Sequence, residues 1–108
     1  MAARKSKTEF LFNSAGDWIV FRVDRNVFST GGRWIGWLPF EDTHVADVSG
    51  KYLGTIFPGH RLYRKSYEPY RGYPGYPGYP GYPGYPGYPG YAGYAPLPLG
   101  ASDVEIGE

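Results

Sequence analysis

A segment centred on glycine occurs three times in the first half of this 108-residue chain, and a weaker fourth copy follows. The copies align on Gly16, Gly32 and Gly50, each with an apolar residue five positions earlier. An aromatic residue follows each glycine by two positions, and a branched aliphatic residue follows it by three. Because one repeated unit usually dictates the architecture of a repeat protein, these segments constrain the fold more than any other feature.

Each copy predicts a β-hairpin. Small or turn-forming residues precede the glycine, and glycine supplies the positive φ that tight hairpin turns require. The aromatic and branched residues that follow suit a pleated, half-buried strand. No long helix fits, because Asn-Ser-Ala-Gly, Ser-Thr-Gly-Gly and Val-Ser-Gly interrupt every apolar stripe. We therefore predict a small all-β domain.

The fourth copy is degenerate. Leu62 and Tyr63 match the incoming strand, but Tyr67 stands where the glycine is expected. We predict three to four repeated hairpins around a pseudo-fourfold axis, with their apolar faces inward. Gly36 and Gly54 lie inside predicted strands, where glycine often allows another backbone to approach closely.

Composition divides the chain into four regions. All eleven lysines and arginines lie before residue 72, whereas three acids lie near the end of the chain. The absence of cysteine excludes disulfides and thiolate metal sites, and large aromatic side chains can compensate for them in a small domain. The predicted regions are a flexible basic N-terminus (1–8), the hairpin domain (9–71), a low-complexity tract (72–95) and a flexible acidic C-terminus (96–108). Docking of this C-terminus as an added edge strand is the alternative.

The low-complexity tract repeats Gly-Tyr-Pro six times from Gly72, and two Gly-Tyr-Ala units end it at Ala95. Proline at every third position excludes helices and sheet ladders, and polyproline II is the natural local conformation. In that conformation the eight tyrosines would share one face, about 9 Å apart. We predict a disordered tail, for which a simple spacer is one interpretation. The alternatives are a multivalent tyrosine face, a nucleic-acid stacking arm and a short collagen-like triple helix.

The repeats also carry a family resemblance. Residues 9–66 resemble the bacterial four-fold β-flower family, through segments 12–17, 32–37 and 45–54. The segment Gly-Arg-Trp-Ile-Gly-Trp is the most specific of these. The resemblance implies a small disc of hairpins, and it implies neither an activity nor catalytic residues. A weaker likeness, in Gly-Lys-Tyr-Leu-Gly, is to the PRC-barrel pattern.

A segment that interleaves cations with aromatic residues ends the predicted hairpin domain. Such a mixture can neutralise phosphates and stack on bases, so we consider it a candidate anion or nucleic-acid surface. An ordinary last strand with solvated side chains is the alternative. The residues of this surface are Arg61, Tyr63, Arg64, Lys65, Tyr67, Tyr70 and Arg71.

No enzyme site is predicted. The two histidines, His44 and His60, match no metal motif, and we interpret them as loop histidines beside turn acids. Serines near the glycines are turn residues, and no Gly-x-Ser-x-Gly elbow occurs. We therefore predict no catalytic residue, no metal and no cofactor.

The sequence favours an interaction or scaffold protein that is not an enzyme. Its tyrosine-rich tail would make multivalent contacts with a protein partner or with other copies of the chain. A nucleic-acid-binding module that uses residues 61–71 is the alternative, and a small hydrolase or other enzyme comes third. The apolar run Phe10–Phe12 is too short for a signal peptide or a membrane span, so we expect a cytoplasmic protein without a membrane partner.

Overall fold

The computed structural model describes residues 8–106, and within this range the chain is all β, with no helix. Each of its eight strands is antiparallel to the next. The strands are β1 (Thr8–Phe12), β2 (Trp18–Val23), β3 (Asn26–Ser29), β4 (Trp34–Trp37), β5 (His44–Asp47), β6 (Tyr52–Phe57), β7 (Arg61–Lys65) and β8 (Ala101–Asp103). The all-β prediction is confirmed.

Strands β1 to β7 form a closed barrel. Phe12 of β1 pairs in parallel with Arg61 of β7, and this pairing joins the first strand to the seventh. The amide of Phe12 donates a hydrogen bond of 2.9 Å to the carbonyl oxygen of His60. Strand β8 is an extra strand that pairs with the C-terminal half of β7.

The turns of the first three hairpins (β1–β2, β3–β4 and β5–β6) share one hydrogen-bond pattern. The amide of each turn glycine donates to the carbonyl oxygen three residues earlier, at 2.9 to 3.0 Å. These glycines have φ between 91° and 95°, a conformation that L side chains rarely adopt. The pairs are Gly16 with Asn13, Gly32 with Ser29, and Gly50 with Asp47. The side-chain oxygens of the latter residues also accept from turn amides, which explains why each copy has a polar residue there.

The core contains one apolar residue from the incoming strand of each copy. These residues, all with 0% exposure, are Leu11, Val27, Val45 and Leu62. Opposite Val27, a Cβ at Gly36 would collide with the carbonyl oxygen of Ala46. A Cβ at Gly54 would lie 3.1 Å from the carbonyl oxygen of Tyr63. The predicted close approach of another backbone at these two glycines is therefore confirmed.

The fourth hairpin does not turn at Tyr67. Its incoming strand β7 pairs with β8, and the 35 residues between Lys65 and Ala101 form the connection. Gly100, with φ of 79°, stands directly before β8. Its carbonyl oxygen accepts a 2.6 Å hydrogen bond from the amide of Ser66, so the two ends of the long connection meet at the sheet.

The predicted domain boundaries need correction on this point. Residues 96–108 were predicted to be a flexible terminus, yet they contain β8 and Val104, which is 7% exposed and belongs to the core. The hairpin domain therefore extends beyond residue 71. Of the predicted N-terminal region 1–8, only Thr8 lies within the described residues.

The Gly-Tyr-Pro tract has no regular secondary structure, and it is not a polyproline II helix. All eight of its glycines have φ between 85° and 95°. Polyproline II needs φ near −75° at every residue, and the chains of a collagen triple helix share that requirement. The polyproline II and collagen-like interpretations are therefore wrong for this tract.

Candidate functional site

The tract lies against the turns of the first three hairpins, and we call residues 72–95 the tyrosine belt. The ring of Tyr73 contacts Gly50, and the ring of Tyr82 lies where a Cβ at Gly32 would approach it to 2.5 Å. At Gly16, a Cβ would lie 2.5 Å from the carbonyl oxygen of Gly93. The three turn glycines therefore leave the space that the belt occupies, in addition to forming the turns.

Pairs of belt tyrosines flank two tryptophans of the hairpins. Trp34 lies between Tyr76 and Tyr79, with ring centroids 5.6 and 5.9 Å away. Trp18 lies between the tyrosines nine residues further along the belt, Tyr85 and Tyr88, at 6.1 and 6.0 Å. Three Gly-Tyr-Pro units thus span the step from one hairpin to the next, so the period of the belt matches the period of the domain.

The outer surface of the belt is a row of tyrosine rings. All eight tyrosines are between 61% and 74% exposed, although four of them contact a tryptophan. The disordered tail predicted from composition thus differs from the structure, in which the tract contacts the domain along its length. The physical reason is that the turn glycines leave positions without a side chain, and the two tryptophans present aromatic surfaces, on which tyrosine rings pack.

The belt is attached at its C-terminal end by main-chain hydrogen bonds. The amide of Ala92 donates to the carbonyl oxygen of Gly16 at 2.9 Å, and the amide of Ala95 donates to that of Ser14 at 2.8 Å. Proline has no amide hydrogen and could make neither bond. The change from Gly-Tyr-Pro to Gly-Tyr-Ala in the last two units therefore has a structural reason.

Arg61 strengthens this attachment. Its side chain is nearly buried, with 9% exposure of the residue, and its guanidinium donates to the carbonyl oxygens of Asn13 at 2.7 Å and of Gly93 at 3.0 Å. Beside it, the amide and hydroxyl of Ser14 donate to the carboxylate of Asp103 at 2.7 and 2.6 Å. The first turn, the end of the belt and β8 are thus joined at one place.

A cavity of about 400 Å³ lies where the belt begins, beside the third hairpin. In its wall, the Nδ1 of His44 lies 3.0 Å from the Oε2 of Glu68. The His44 ring also contacts the rings of Phe40 and Tyr52, at centroid distances of 5.2 and 5.1 Å. The cavity therefore combines aromatic walls with one nearly buried carboxylate, an arrangement typical of small-ligand sites.

A second acid, Asp42, lies outside the cavity and binds two of the residues that line it. The carboxylate of Asp42 accepts from the amide of His44 at 2.8 Å and from the guanidinium of Arg71 at 2.7 Å. These two hydrogen bonds, with the His44 amide contributing most, lower the pKa of Asp42 below its usual value of 3.8. Arg71 in turn lies over the ring of Phe40, 4.0 Å from its centroid.

The structure brings part of the candidate anion surface together, since Arg64, Lys65 and Tyr67 line one surface depression, and it places the other residues elsewhere. Arg61 and Tyr63 are buried, at 9% and 2% exposure. Arg64 lies over the Tyr52 ring and donates to its carbonyl oxygen at 2.9 Å, and Arg71 is paired with Asp42. Tyr67 and Tyr70 are 77% and 87% exposed, and the exposed Lys65 completes the set.

The histidines lie in different settings. His44 is a buried residue of β5, not a loop histidine, whereas His60 lies in the turn before β7, with its Nδ1 3.0 Å from Glu9. Within residues 8–106, no three histidine, cysteine or acidic side chains are grouped closely enough to hold a metal ion. No helix in that range is long and apolar enough to cross a membrane.

Sequence reasoning did not identify the cavity. Two signals could have indicated it: Tyr52 stands where the other two copies have tryptophan, and Tyr67 and Tyr70 continue the three-residue spacing of tyrosines upstream of the belt.

Comparisons with known proteins agree with this fold. A family model described as 4-fold beta flower protein matches residues 2–101, which is most of the chain. Neither the curated proteins nor the solved structures contain a match. With repeated glycine hairpins, an all-β barrel and a match over almost its whole length, the chain belongs to the 4-fold beta flower family.

Proposed function

We propose that this protein is a non-enzymatic interaction protein, and that its tyrosine belt is a multivalent contact surface. The observation that carries the proposal is the row of eight tyrosines, each between 61% and 74% exposed. Tyrosine provides a large, amphipathic contact area at a low cost in side-chain entropy, and it is enriched at protein interfaces. Eight equivalent weak contacts in one row favour association through avidity.

The packing of the belt on the domain supports this function. A free Gly-Tyr-Pro tail would lose much conformational entropy when it binds a partner. In the structure the belt already contacts the turn glycines and the two tryptophans, Trp18 and Trp34. Rings that are already positioned lose less entropy on binding, so each contact contributes more to the affinity.

The partner we propose is another copy of the chain. Aromatic surfaces bind proline-rich segments, and in its first six units the belt alternates tyrosine with proline. Two belts are therefore complementary to each other. The nucleic-acid alternative has less support, because Arg61 and Tyr63 of the candidate anion surface are buried.

We also infer that the four strand pairs surround a pseudo-fourfold axis. The equivalent positions of Leu11, Val27, Val45 and Leu62 in one buried cluster support this arrangement. A belt that advances nine residues per hairpin around such an axis would present its tyrosines on a curved rim. A curved row can contact several neighbouring molecules at once, which suits a scaffold.

Sedimentation of the whole chain tests the proposal. We expect the apparent mass to rise with concentration between about 10 μM and 1 mM, the range of weak contacts. A variant with serine at the four belt tyrosines that contact no tryptophan (Tyr73, Tyr82, Tyr91 and Tyr94) should stay monomeric over that range. A control variant with serine at Leu97 and Leu99, which are exposed but outside the belt, should associate like the unaltered chain.

NMR spectra of the three proteins would establish that the variants keep the fold. If the variant with four serines does not fold, a variant that carries only Tyr91→Ser and Tyr94→Ser is used in its place. Association that is equally strong with and without the tyrosines would refute the proposal, and so would a monomeric mass for the unaltered chain at every concentration.

A further inference from the structure

A slot for an aromatic ring recurs between the belt and the hairpins. In two hairpins, the tryptophan that follows the turn glycine fills a slot between two tyrosines three residues apart. The tryptophans are Trp18 and Trp34, and the tyrosine pairs are nine residues apart along the chain. Continuing this step upstream gives Tyr67 and Tyr70 as the pair for the third hairpin, in which Tyr52 holds the tryptophan position.

Tyr52 does not fill this third slot. Its hydroxyl accepts a hydrogen bond from the amide of Lys65 at 2.9 Å and lies 2.8 Å from the Oγ1 of Thr55. These bonds hold the ring toward β7, with the Arg64 guanidinium 5.0 Å from its centroid. The smaller residue is thus anchored to the sheet, whereas the tryptophans of the other hairpins lie between tyrosines.

The cavity at the third hairpin lies beside Tyr52 and Tyr70, whereas Tyr67 lines a separate depression with Arg64 and Lys65. Tyr70, which would clasp a tryptophan there, is 87% exposed, more than any tyrosine of the belt. The cavity measures about 400 Å³, within the range of known small-ligand sites. Its lining includes Phe40, His44, Tyr52, Glu68, Tyr70 and Tyr73.

One polar group in the cavity is available for a ligand. The side chain of Glu68 is 13% exposed, and His44 is its hydrogen-bond partner at 3.0 Å, through Oε2. No other partner of this carboxylate occurs within residues 8–106, so its second oxygen can accept a further hydrogen bond. The neighbouring Asp42 is already paired with Arg71 at 2.7 Å.

We propose that this cavity binds a planar aromatic ring about the size of indole, with an N–H that donates to the carboxylate of Glu68. The ring takes the place that tryptophan has in the first and second hairpins, among the rings of Phe40, Tyr70 and Tyr73. Such a ring can come from a free heteroaromatic molecule or from a tryptophan side chain of a peptide. This site shares Tyr73 with the belt, but indole binding at it does not require self-association of the chain.

An NMR titration of the whole chain with indole tests the site. We expect saturable shifts of the amides that line the cavity, those of His44, Gly50 and Gly72, at up to about 10 mM indole. 1-Methylindole lacks the N–H, so we expect it to bind roughly tenfold more weakly. Shifts centred on Trp18 or Trp34, or no saturation, would overturn the proposal, and equal binding of both probes would overturn the role of Glu68.

Two variants test the shape of the slot and the role of its carboxylate separately. Tyr52→Trp restores the residue of the other hairpins, so its own indole should fill the slot and abolish binding. Glu68→Gln keeps the shape but removes the charge, and we expect roughly tenfold weaker indole binding, because charge-assisted bonds are about twice as strong as neutral ones. Glu105→Gln, at an exposed site away from this cavity, is the matched control and should bind normally.

Further probes identify the source of the ring. N-acetyltryptophanamide and a tryptophan-containing peptide should bind at least as tightly as indole if the natural ligand is a protein segment. Binding of indole without binding of the peptide would assign the site to a free small molecule. If Tyr52→Trp does not fold, the comparison of Glu68→Gln with Glu105→Gln still decides the proposal, since equal affinities would contradict it.

Discussion

Tyr63 lies in a strand that is buried on both faces, and the sequence pattern alone does not predict this burial. The three residues Arg61, Leu62 and Tyr63 are all buried, although a half-exposed strand would alternate. One face of β7 covers the core, and the other is covered at Arg61 by the end of the belt. The hydroxyl of Tyr63 is buried without a hydrogen-bond partner among residues 8–106, and burial raises its pKa above the usual value of 10.0.

Removal of this hydroxyl is therefore predicted to stabilise the protein. In Tyr63→Phe we expect the free energy of unfolding to rise by about 1 kcal/mol, because an unpaired buried polar group is lost. The raised pKa means that the folded state keeps its proton while the unfolded chain loses it above pH 10. Stability of the unaltered protein should thus fall as pH rises above that value, and this fall should be smaller in Tyr63→Phe.

Urea unfolding between pH 7 and pH 11 measures both effects. Tyr52→Phe is the control, since the hydroxyl of Tyr52 is hydrogen-bonded to Lys65 and its loss should destabilise by about 1 kcal/mol. A similar loss in Tyr63→Phe would indicate that its hydroxyl makes a bond after all, for example to water.

At the scale of elements, the first three hairpins were predictable and the fourth was not. The turns at Gly16, Gly32 and Gly50 depend on residues adjacent in sequence, so local chemistry was sufficient to predict them. Strand β8 depends on pairing across 35 residues, and its sequence, Ala-Ser-Asp, has no apolar alternation of its own. The cavity was missed for the same reason, because it exists only where distant segments, residues 40–52 and 68–74, meet.

The belt also shows how one residue type controls attachment of a whole element. Alanine replaces proline only in the last two units, where the amides of Ala92 and Ala95 donate to the first turn. We predict that Ala92→Pro or Ala95→Pro destabilises the protein by about 1 to 2 kcal/mol, since each removes one backbone hydrogen bond. Thermal unfolding measures the loss, and the double variant should lose more than either single one.

Serine at the same positions is the control for this experiment. Ala92→Ser and Ala95→Ser keep the amide hydrogen, so we expect both to unfold within about 0.5 kcal/mol of the unaltered chain. Proline variants that are as stable as the serine variants would contradict the role of these two amides.

At the scale of the whole molecule, the length of the belt is matched to the barrel. Nine residues separate Tyr73, at the third turn, from Tyr82, at the second. Since the six Gly-Tyr-Pro units are identical, the belt can slide by one unit without changing its chemistry. If the belt is too short, contacts are therefore lost at its C-terminal end, where Ala92 and Gly93 contact the first turn.

Deletion and insertion of one unit should therefore have unequal effects. Deletion of residues 78–80 shortens the path by up to about 10 Å, so the hydrogen bonds of Ala92 and Ala95 should break, with a loss of about 2 to 4 kcal/mol. Insertion of one more unit leaves enough chain for these hydrogen bonds to form, and we expect it to change stability by less than about 1 kcal/mol.

Thermal unfolding, together with hydrogen exchange at the amide of the alanine corresponding to Ala92, distinguishes these cases. Equal stabilities of the two variants, or protection of that amide in the deletion variant, would argue against a belt of matched length.

The long connection between β7 and β8 also has a consequence for cleavage of the chain. A protease that cuts once within the belt would leave β8 on a separate peptide, held to the barrel by non-covalent contacts that include its pairing with β7 and the hydrogen bonds of Ser14 to Asp103. Closure of the fourth hairpin would then change from a unimolecular step to a bimolecular one that depends on concentration. On dilution, β7 would expose an unpaired strand edge, and a nicked molecule could accept a β8 peptide from solution.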